Sequence, residues 1–144
     1  MKLFTIGYEG ATQEEFMTAL EQAGVRRVID VRALPLSRRP GFSKTALRSA
    51  LGEHGIDYVH LKALGTPAEG RAAAHAGHHA EMAAIYAGQL ALPEAMVAAE
   101  QMLALAQEQP SALLCLERQP KHCHRQLLID AVAPDAEVEH LFPG

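Results

Sequence analysis

The sequence is poor in the residues that nucleic-acid-binding proteins use. Tryptophan is absent, aromatic residues make up 5% of the chain, and the formal net charge is −4. Single-stranded nucleic acids are bound by aromatic faces on which bases stack and by an excess of positive charge along the backbone. The composition therefore argues against a broad nucleic-acid-binding surface, and any bound anion must be met by a local basic patch.

Long apolar runs and cysteines are also scarce. No apolar run approaches the roughly 20 residues that span a bilayer, and the N-terminal stretch MKLFTIGYEG enters a strand pattern without a signal-peptide layout. We therefore predict a cytoplasmic protein that makes no membrane contact. In that compartment the two cysteines, Cys115 and Cys123, are expected to be reduced rather than joined in a disulfide.

The chain does contain a regular alternation of strand and helix patterns. Apolar runs rich in β-branched residues predict five strands, at residues 3–8, 26–33, 57–64, 112–117 and 137–142. Amphipathic stretches predict helices that begin at Thr12, which forms a capping box with Glu15, at Ser43 as N-cap, at Pro93 and at His124.

This alternation determines the predicted fold class. Parallel strands need crossover connections, and helices supply them. We predict an α/β fold, a three-layer sandwich with a mostly parallel sheet of about five strands and helices on both faces, in a single domain of residues 1–144. Residues 66–92 break the alternation with alanines, histidines and glycines, and are predicted to form a helical insertion or lid. His75, His78 and His79 in that segment are interpreted as a polar helix face.

Basic residues are concentrated in the loop after the second predicted strand. Ligands of open parallel sheets collect outside the carboxyl ends of the strands, where such loops gather. Guanidinium groups, an ammonium group and the free N–H groups of a helix start suit the binding of an anion. The predicted anion-binding residues are Arg32, Ser37, Arg38, Lys44 and, at the start of the last helix, Arg125. The alternative is a solvated basic loop.

Asp30 and Tyr8 are predicted to support this edge. Asp30 and Arg32 are two residues apart on one predicted strand, so their side chains should share a face. A buried aspartate needs a partner such as an arginine. We therefore assign Asp30 a structural or supporting role, with direct participation in chemistry as the alternative. Tyr8, between two glycines after the first strand, is given the same supporting role.

The stretch CLERQPKHCHR, residues 115–125, holds both cysteines. Cys123 precedes the last predicted helix, whose N-terminus favours a thiolate, so Cys123 is the candidate nucleophile. His124 and Glu117 are the candidate acid/base groups, although Glu117 is equally suited to a structural clamp with Arg125. Cys115 lies in an apolar run and is expected to pack as a small buried hydrophobic residue.

Residue spacing argues against several familiar sites in this stretch. From Cys115 to Arg125 is too long, and from Cys123 to Arg125 too short, for the anion cradle of a tyrosine phosphatase or a rhodanese. Cys115, Cys123, His124 and His122 have side chains that bind zinc or iron, but adjacent residues seldom bind one ion together and no C-x-x-C spacing is present. We predict no cofactor and assign no metal ligand, with zinc or iron as the alternative.

With these motifs, the chain resembles the family catalogued as domain of unknown function 488. The resemblance is carried by TIGYEG, VIDVRALPLSRRPGFSK, GIDYVHLKALG, ALLCLERQPKHCHR and EHL, but not by residues 66–92. It implies a compact α/β domain, usually standing alone in bacteria, without an established reaction. The motif positions it implies are Gly7, Asp30, Arg32, Pro35, Ser37, Arg38, Phe42, Leu64, Gly65, Glu117, Cys123, His124 and Arg125.

Two functions of different class fit these features. The first is an enzyme acting on a phosphate-bearing, nucleotide-like substrate at the C-terminal edge of the sheet. The second is a non-catalytic module that binds an anion or a nucleic acid with the same arginines. The predicted partner is thus a small anionic or phosphorylated ligand, with nucleic acid as the alternative, and the sequence does not indicate an oligomeric state.

Overall fold

The computed structural model describes residues 1–144, except for the side chain of His122. Its five strands are β1 (Lys2–Gly7), β2 (Arg27–Asp30), β3 (Asp57–His60), β4 (Ser111–Cys115) and β5 (Glu137–Leu141). Its six α-helices are α1 (Gln13–Ala23), α2 (Lys44–Glu53), α3 (Ala68–His75), α4 (His79–Leu90), α5 (Pro93–Glu108) and α6 (His124–Val132). Short 3₁₀ turns lie at Lys62–Leu64 and Pro120–His122.

All five strands form one parallel sheet in the order β3-β2-β4-β1-β5. The predicted α/β class with about five strands is confirmed, and the sheet is entirely rather than mostly parallel. All five strands end earlier than predicted, and β2 and β4 end at Asp30 and Cys115. Arg32 and Glu117 therefore lie in the loops beyond these strands, at the carboxyl edge of the sheet.

Helices cover both faces of the sheet, which confirms the three-layer arrangement. Residues alternate between two cores along each strand, as the two-residue period of a strand requires. Ile29 and Leu113 pack in one core with residues of α3, α4, α5 and α6. Val28 and Leu114 pack in the other core with residues of α1 and α2.

The connections leave an opening at the carboxyl end of β4. The chain leaves β1 and β2 toward the face covered by α1 and α2, whereas it leaves β4 toward the face covered by α6. Strand β4 lies between β2 and β1 in the sheet. A crevice forms where neighbouring strands send their connections to opposite faces, and ligands bind there in open α/β sheets.

The predicted helix caps form fully in α1 but only in part in α2. Thr12 and Glu15 form the predicted capping box, and Gly24 ends α1 in the left-handed conformation with φ 76°. Ser43 occupies the N-cap position of α2 but makes no capping hydrogen bond with its side chain. Its Oγ instead accepts from the Ser37 N–H at 3.0 Å and lies 3.2 Å from the Ser37 carbonyl oxygen.

The segment at residues 66–92 contains α3 and α4 and packs against the sheet. Met82 and Tyr86 of α4 are buried in the core that also contains Ile29 and Leu113. The Tyr86 hydroxyl donates to the carbonyl oxygen of Leu64 at 2.6 Å. This segment therefore covers the crevice side of the sheet as part of the core.

Within the described chain, no helix alone has the length and apolar character to cross a membrane. Helices α4 and α5 reach that length and composition only as a pair, and the pair is bent by 87°.

Candidate functional site

A cavity of about 530 Å³ lies at the carboxyl edge of the sheet. Its wall contains the predicted catalytic residues together with Tyr8 and Arg32. Other residues of the wall come from loops and helices far apart in sequence, and they include Glu9, Leu34, Leu36, Arg71, His75, His79, Cys115 and Leu116. Among the predicted anion-binding residues, Ser37, Arg38, Lys44 and Arg125 lie outside this wall.

Cys115 and Cys123 are joined by a disulfide, so the expectation of reduced cysteines was wrong for this structure. Cys115 is as buried as predicted, at 1% exposure, but it is bonded to Cys123 rather than packed only as an apolar side chain. The sequence separation of the two cysteines did not indicate this disulfide. It forms because the turn at Pro120–His122 folds the chain back and brings Cys123 beside the end of β4. Both sulfur atoms belong to residues of the cavity wall.

Cys123 is the N-cap of α6. Its backbone is extended, with φ −126° and ψ 157°, and its Sγ accepts the backbone N–H of Arg125 at 3.5 Å. This is the position in which the partial positive charge of a helix N-terminus stabilises a negative sulfur. The predicted location of Cys123 at the start of the last helix is confirmed.

His124 is held in one orientation by the end of β2. Its Nε2 lies 2.7 Å from the carbonyl oxygen of Val31. Because a carbonyl only accepts, Nε2 carries the hydrogen, and Nδ1 presents its lone pair 3.7 Å from Cys123 Sγ. The ring packs edge-on against Tyr86, with the centroids 5.1 Å apart. Burial lowers the pKa of His124 to about 4, and the imidazole is therefore neutral at pH 7.

Glu117 completes the reactive group on this loop. Its Oε2 lies 3.6 Å from Cys115 Sγ, and its carboxylate faces the cavity. Burial raises the pKa of Glu117, against the opposing effect of the positive Arg125. Cys123, His124 and Glu117, predicted as catalytic, are thus brought together, with Cys115 as a fourth member.

The loop that carries Glu117 is held in place through its backbone carbonyl groups, which bind Arg125. Arg125 is fully buried, and its Nη2 donates to the carbonyl oxygens of Glu117 at 2.7 Å and Arg118 at 3.3 Å. Its Nε and Nη1 find no hydrogen-bond partner among the described residues. Burial lowers the pKa of Arg125 to about 10. Arg125 therefore holds this loop by its backbone carbonyls, and the clamp to the Glu117 carboxylate considered from the sequence is not found among the described ion pairs.

Gly7 allows the same loop to approach β1. A Cβ atom at this position would overlap the carbonyl oxygen of Glu117. Beside it, Glu9 accepts the backbone N–H of Arg118 at 3.0 Å. A glycine at the end of β1 is therefore required by the close contact of two backbones rather than by its own φ angle.

Asp30 and Arg32 form the buried ion pair that the sequence suggested. Arg32 donates from Nε to Oδ1 at 2.9 Å and from Nη2 to Oδ2 at 2.7 Å. Its Nη1 donates to the carbonyl oxygen of Phe42 at 2.8 Å and to the Tyr8 hydroxyl at 3.3 Å. Burial alone would lower the pKa of Arg32, but hydrogen bonds and charge from Asp30 outweigh it and raise that pKa. Tyr58 adds a hydrogen bond to Asp30 at 2.5 Å.

The rest of the predicted anion-binding loop is held by bonds within the chain. Ser37 accepts the Arg39 N–H and is paired with Ser43, while the Lys44 N–H donates to the carbonyl oxygen of Pro35. Arg38 is exposed. An anion-binding role for these residues stays a prediction.

Sequence reasoning missed three residues of the cavity wall, Arg71, His75 and His79. Arg71 is half-buried, and its Nη1 donates to the carbonyl oxygen of Thr66 at 2.8 Å. The spacing held a usable signal for two of them, since Arg71 and His75 are four residues apart on α3 and therefore share one face, whereas His79 begins α4. From the sequence, His75 and His79 were interpreted only as part of a polar helix face.

Comparison with known proteins places the chain in a family. The searches of curated proteins and of solved structures found no match to this chain. A family model matches residues 12–132, which include the basic loop, the cysteine pair and all of α6. The chain therefore belongs to the family described as Domain of unknown function DUF488.

Proposed function

We propose that this protein is an enzyme that binds a small phosphate-bearing, nucleotide-like molecule in the cavity at the carboxyl edge of the sheet. The observation that carries the proposal is the composition of one cavity wall. This wall contains a sulfur, imidazole and carboxylate cluster together with cationic and imidazole side chains of α3 and α4.

The size and location of the cavity suit such a ligand. Small-molecule sites have volumes of about 300–1,000 Å³ and occur where neighbouring strands send their connections to opposite faces. The cavity has about 530 Å³ and opens at the end of β4. Leu34, Leu36 and Leu116, all at least 39% exposed, supply apolar surface at its wall for the non-phosphate part of the ligand.

Arg71 is the residue proposed to hold the phosphate. Arg32 also lines the cavity, but its guanidinium is engaged by Asp30, Phe42 and Tyr8. Among the described residues Arg71 makes one side-chain hydrogen bond, from Nη1 to the carbonyl oxygen of Thr66, and its planar guanidinium can donate its other N–H groups to phosphate oxygens. His75 follows on the same face of α3.

Glu117 and Cys123 are the residues proposed to act on the bound molecule. Glu117 faces the cavity beside Cys115 and can transfer a proton to or from the ligand. In the reduced chain Cys123 stands at a helix N-terminus, which favours the thiolate, the form that acts as nucleophile and as metal ligand. The chemistry thus comes from the β4–α6 loop and the phosphate contact from α3.

Ligand binding and turnover test the proposal separately. Thermal stability is measured with nucleoside monophosphates, with the matching nucleosides and with inorganic phosphate, for the wild type, Arg71→Ala and Arg48→Ala. Arg48 is an exposed arginine of α2 and serves as the matched control. A rise in melting temperature with phosphate-bearing ligands that is lost in Arg71→Ala alone supports the proposal, and turnover lost in Glu117→Gln with binding retained supports its catalytic part.

The nucleic-acid-binding alternative gives a different pattern. It predicts that an oligonucleotide binds with an affinity that falls steeply with salt, and that Arg38→Ala weakens this binding more than Arg71→Ala does. That pattern would overturn the cavity-based proposal.

A further inference from the structure

Three metal-binding atoms converge at the end of β4. Cys115 Sγ, Cys123 Sγ and His124 Nδ1 all lie within 4.8 Å of one another, and all three residues are buried. Thiolate sulfur and imidazole nitrogen are the donors that zinc prefers, whereas magnesium and calcium prefer oxygen. The donor set therefore indicates a thiophilic divalent metal.

The orientation of His124 is that of a metal-binding histidine. Its Nε2–H donates to the carbonyl oxygen of Val31, which leaves the Nδ1 lone pair directed toward Cys123 Sγ. Histidines that bind metals almost always donate their other ring N–H to a carbonyl or carboxylate, which fixes the ring and the tautomer. Val31 directly follows β2, so the rigid sheet positions this ligand.

The backbone around the two cysteines suits two separate thiolates. Their Cα atoms are 7.2 Å apart, whereas most disulfides join Cα atoms roughly 4.4–6.8 Å apart. Two sulfurs bound at about 2.3 Å to one tetrahedral zinc lie about 3.8 Å from each other, which matches a wider backbone separation. The change from extended backbone at Cys123 to helix at His124 lets these adjacent residues face one point.

The three metal-binding residues border the cavity, from which a fourth ligand can approach a tetrahedral metal. All three residues belong to the cavity wall, and the Glu117 carboxylate stands beside Cys115. Three protein ligands with one open position are the arrangement of catalytic rather than structural zinc sites. A carboxylate next to the open position is placed to exchange a proton with a metal-bound water or ligand.

We propose that the reduced chain binds one Zn²⁺ through Cys115 Sγ, Cys123 Sγ and His124 Nδ1, with the fourth position open to the cavity and Glu117 beside it. This inference concerns the metal alone and does not depend on the identity of the substrate. The disulfide is the metal-free, oxidised form of the same site. A small dithiol reduces it by giving two electrons and two protons, becoming a disulfide itself, and zinc then displaces the two thiol protons into solvent.

Cobalt(II), a spectroscopic substitute for zinc, is the probe that tests the site. The protein is reduced with a dithiol, freed of reductant without air, and titrated with Co²⁺ and then with Zn²⁺. We expect one Co²⁺ per chain with the visible bands of tetrahedral coordination and a near-ultraviolet thiolate-to-cobalt band. Zinc should remove both. The disulfide form and Cys123→Ser should lose the thiolate band, while His78→Ala, which removes an exposed histidine outside the cavity wall, should keep it.

Two further results decide the proposal even if a variant fails to fold. Zinc should raise the melting temperature of the reduced wild type and leave that of the disulfide form unchanged, because only the reduced form binds it. Reduced, folded wild-type protein without a tetrahedral cobalt spectrum would overturn the proposal. So would metal binding of equal strength in the disulfide form, since that would place the metal at other residues such as the histidines of α3 and α4.

Discussion

The loops after β2 and β4 have similar polar compositions but opposite arrangements. The polar groups of the loop after β2 form hydrogen bonds with nearby residues of the protein: Arg32 with Asp30 and Phe42, and Ser37 with Ser43. The loop after β4 is held by its backbone, through Arg125 and the close approach at Gly7, and three of its side chains, those of Leu116, Glu117 and Cys123, line the cavity.

This difference bears on which arginine is free to meet a ligand, a point that residue type alone does not decide. An arginine is available to a ligand only when its donors are not already used by the fold. In the loop after β2 those donors stabilise the loop itself, whereas in the loop after β4 the supporting contacts are made by backbone and by one buried arginine. The reactive side chains of the second loop are therefore left for chemistry.

Removing the anchor of the β2 loop should have the largest effect on stability. Asp30 is fully buried and accepts hydrogen bonds from Arg32 and Tyr58. Asp30→Ala leaves the Arg32 guanidinium buried without its partner, and should lower the free energy of unfolding by about 3–5 kcal/mol. Urea denaturation measures this. Tyr58→Phe, which removes one hydrogen bond, should cost only about 1 kcal/mol, and equal losses in both variants would contradict the ion-pair account.

Reducing the disulfide between Cys115 and Cys123 should have the next largest effect on stability. The disulfide closes a loop with a sequence separation of 8 residues. The chain-entropy model gives about 2.5 kcal/mol for a loop of this length, and the reduced protein should therefore unfold at lower denaturant concentration. Zinc added to the reduced protein should restore part of this loss. A reduced protein as stable as the oxidised one, with or without zinc, would mean that the cysteines do not constrain this loop.

Gly7→Ala tests whether the close backbone contact between β1 and the loop after β4 stabilises the protein and positions the side chains of that loop. The added methyl group must displace the Glu117 carbonyl, and overpacking of this kind costs about 1–3 kcal/mol. In the reduced protein the loss should be accompanied by a change in the alkylation rate of the cysteines, because the loop carries Glu117 and Cys123. Gly52→Ala in α2, where a Cβ meets no neighbouring atom, is the control and should stabilise the protein by about 0.5–1 kcal/mol.

The smallest effect is expected for the exposed basic side chain of the β2 loop. Arg38 is exposed, and Arg38→Ala should change the free energy of unfolding by less than about 0.5 kcal/mol. It should also leave binding of a nucleoside monophosphate unchanged. Loss of that binding in Arg38→Ala would indicate that the loop after β2, rather than Arg71, holds the phosphate.

Local and periodic features were predictable from the sequence. The capping box at Thr12, the five strands and the helices on both faces follow from patterns within about a dozen residues, and the Asp30–Arg32 pair follows from their two-residue spacing at the end of a strand. The sulfur cluster and the position of Arg71 in the cavity wall were not predictable. Both depend on how distant segments approach each other, through the turn before Cys123 and the packing of α3 across the sheet edge.

The central claim is that the cavity holds a phosphate group beside the cysteine cluster. The most direct test is the rate at which iodoacetamide alkylates Cys123 in reduced, metal-free Cys115→Ala protein, with and without a nucleoside monophosphate. The account predicts that the ligand slows alkylation, and that Arg71→Ala on the same background abolishes this protection. Equal rates with and without ligand in folded protein that carries Arg71 would contradict it.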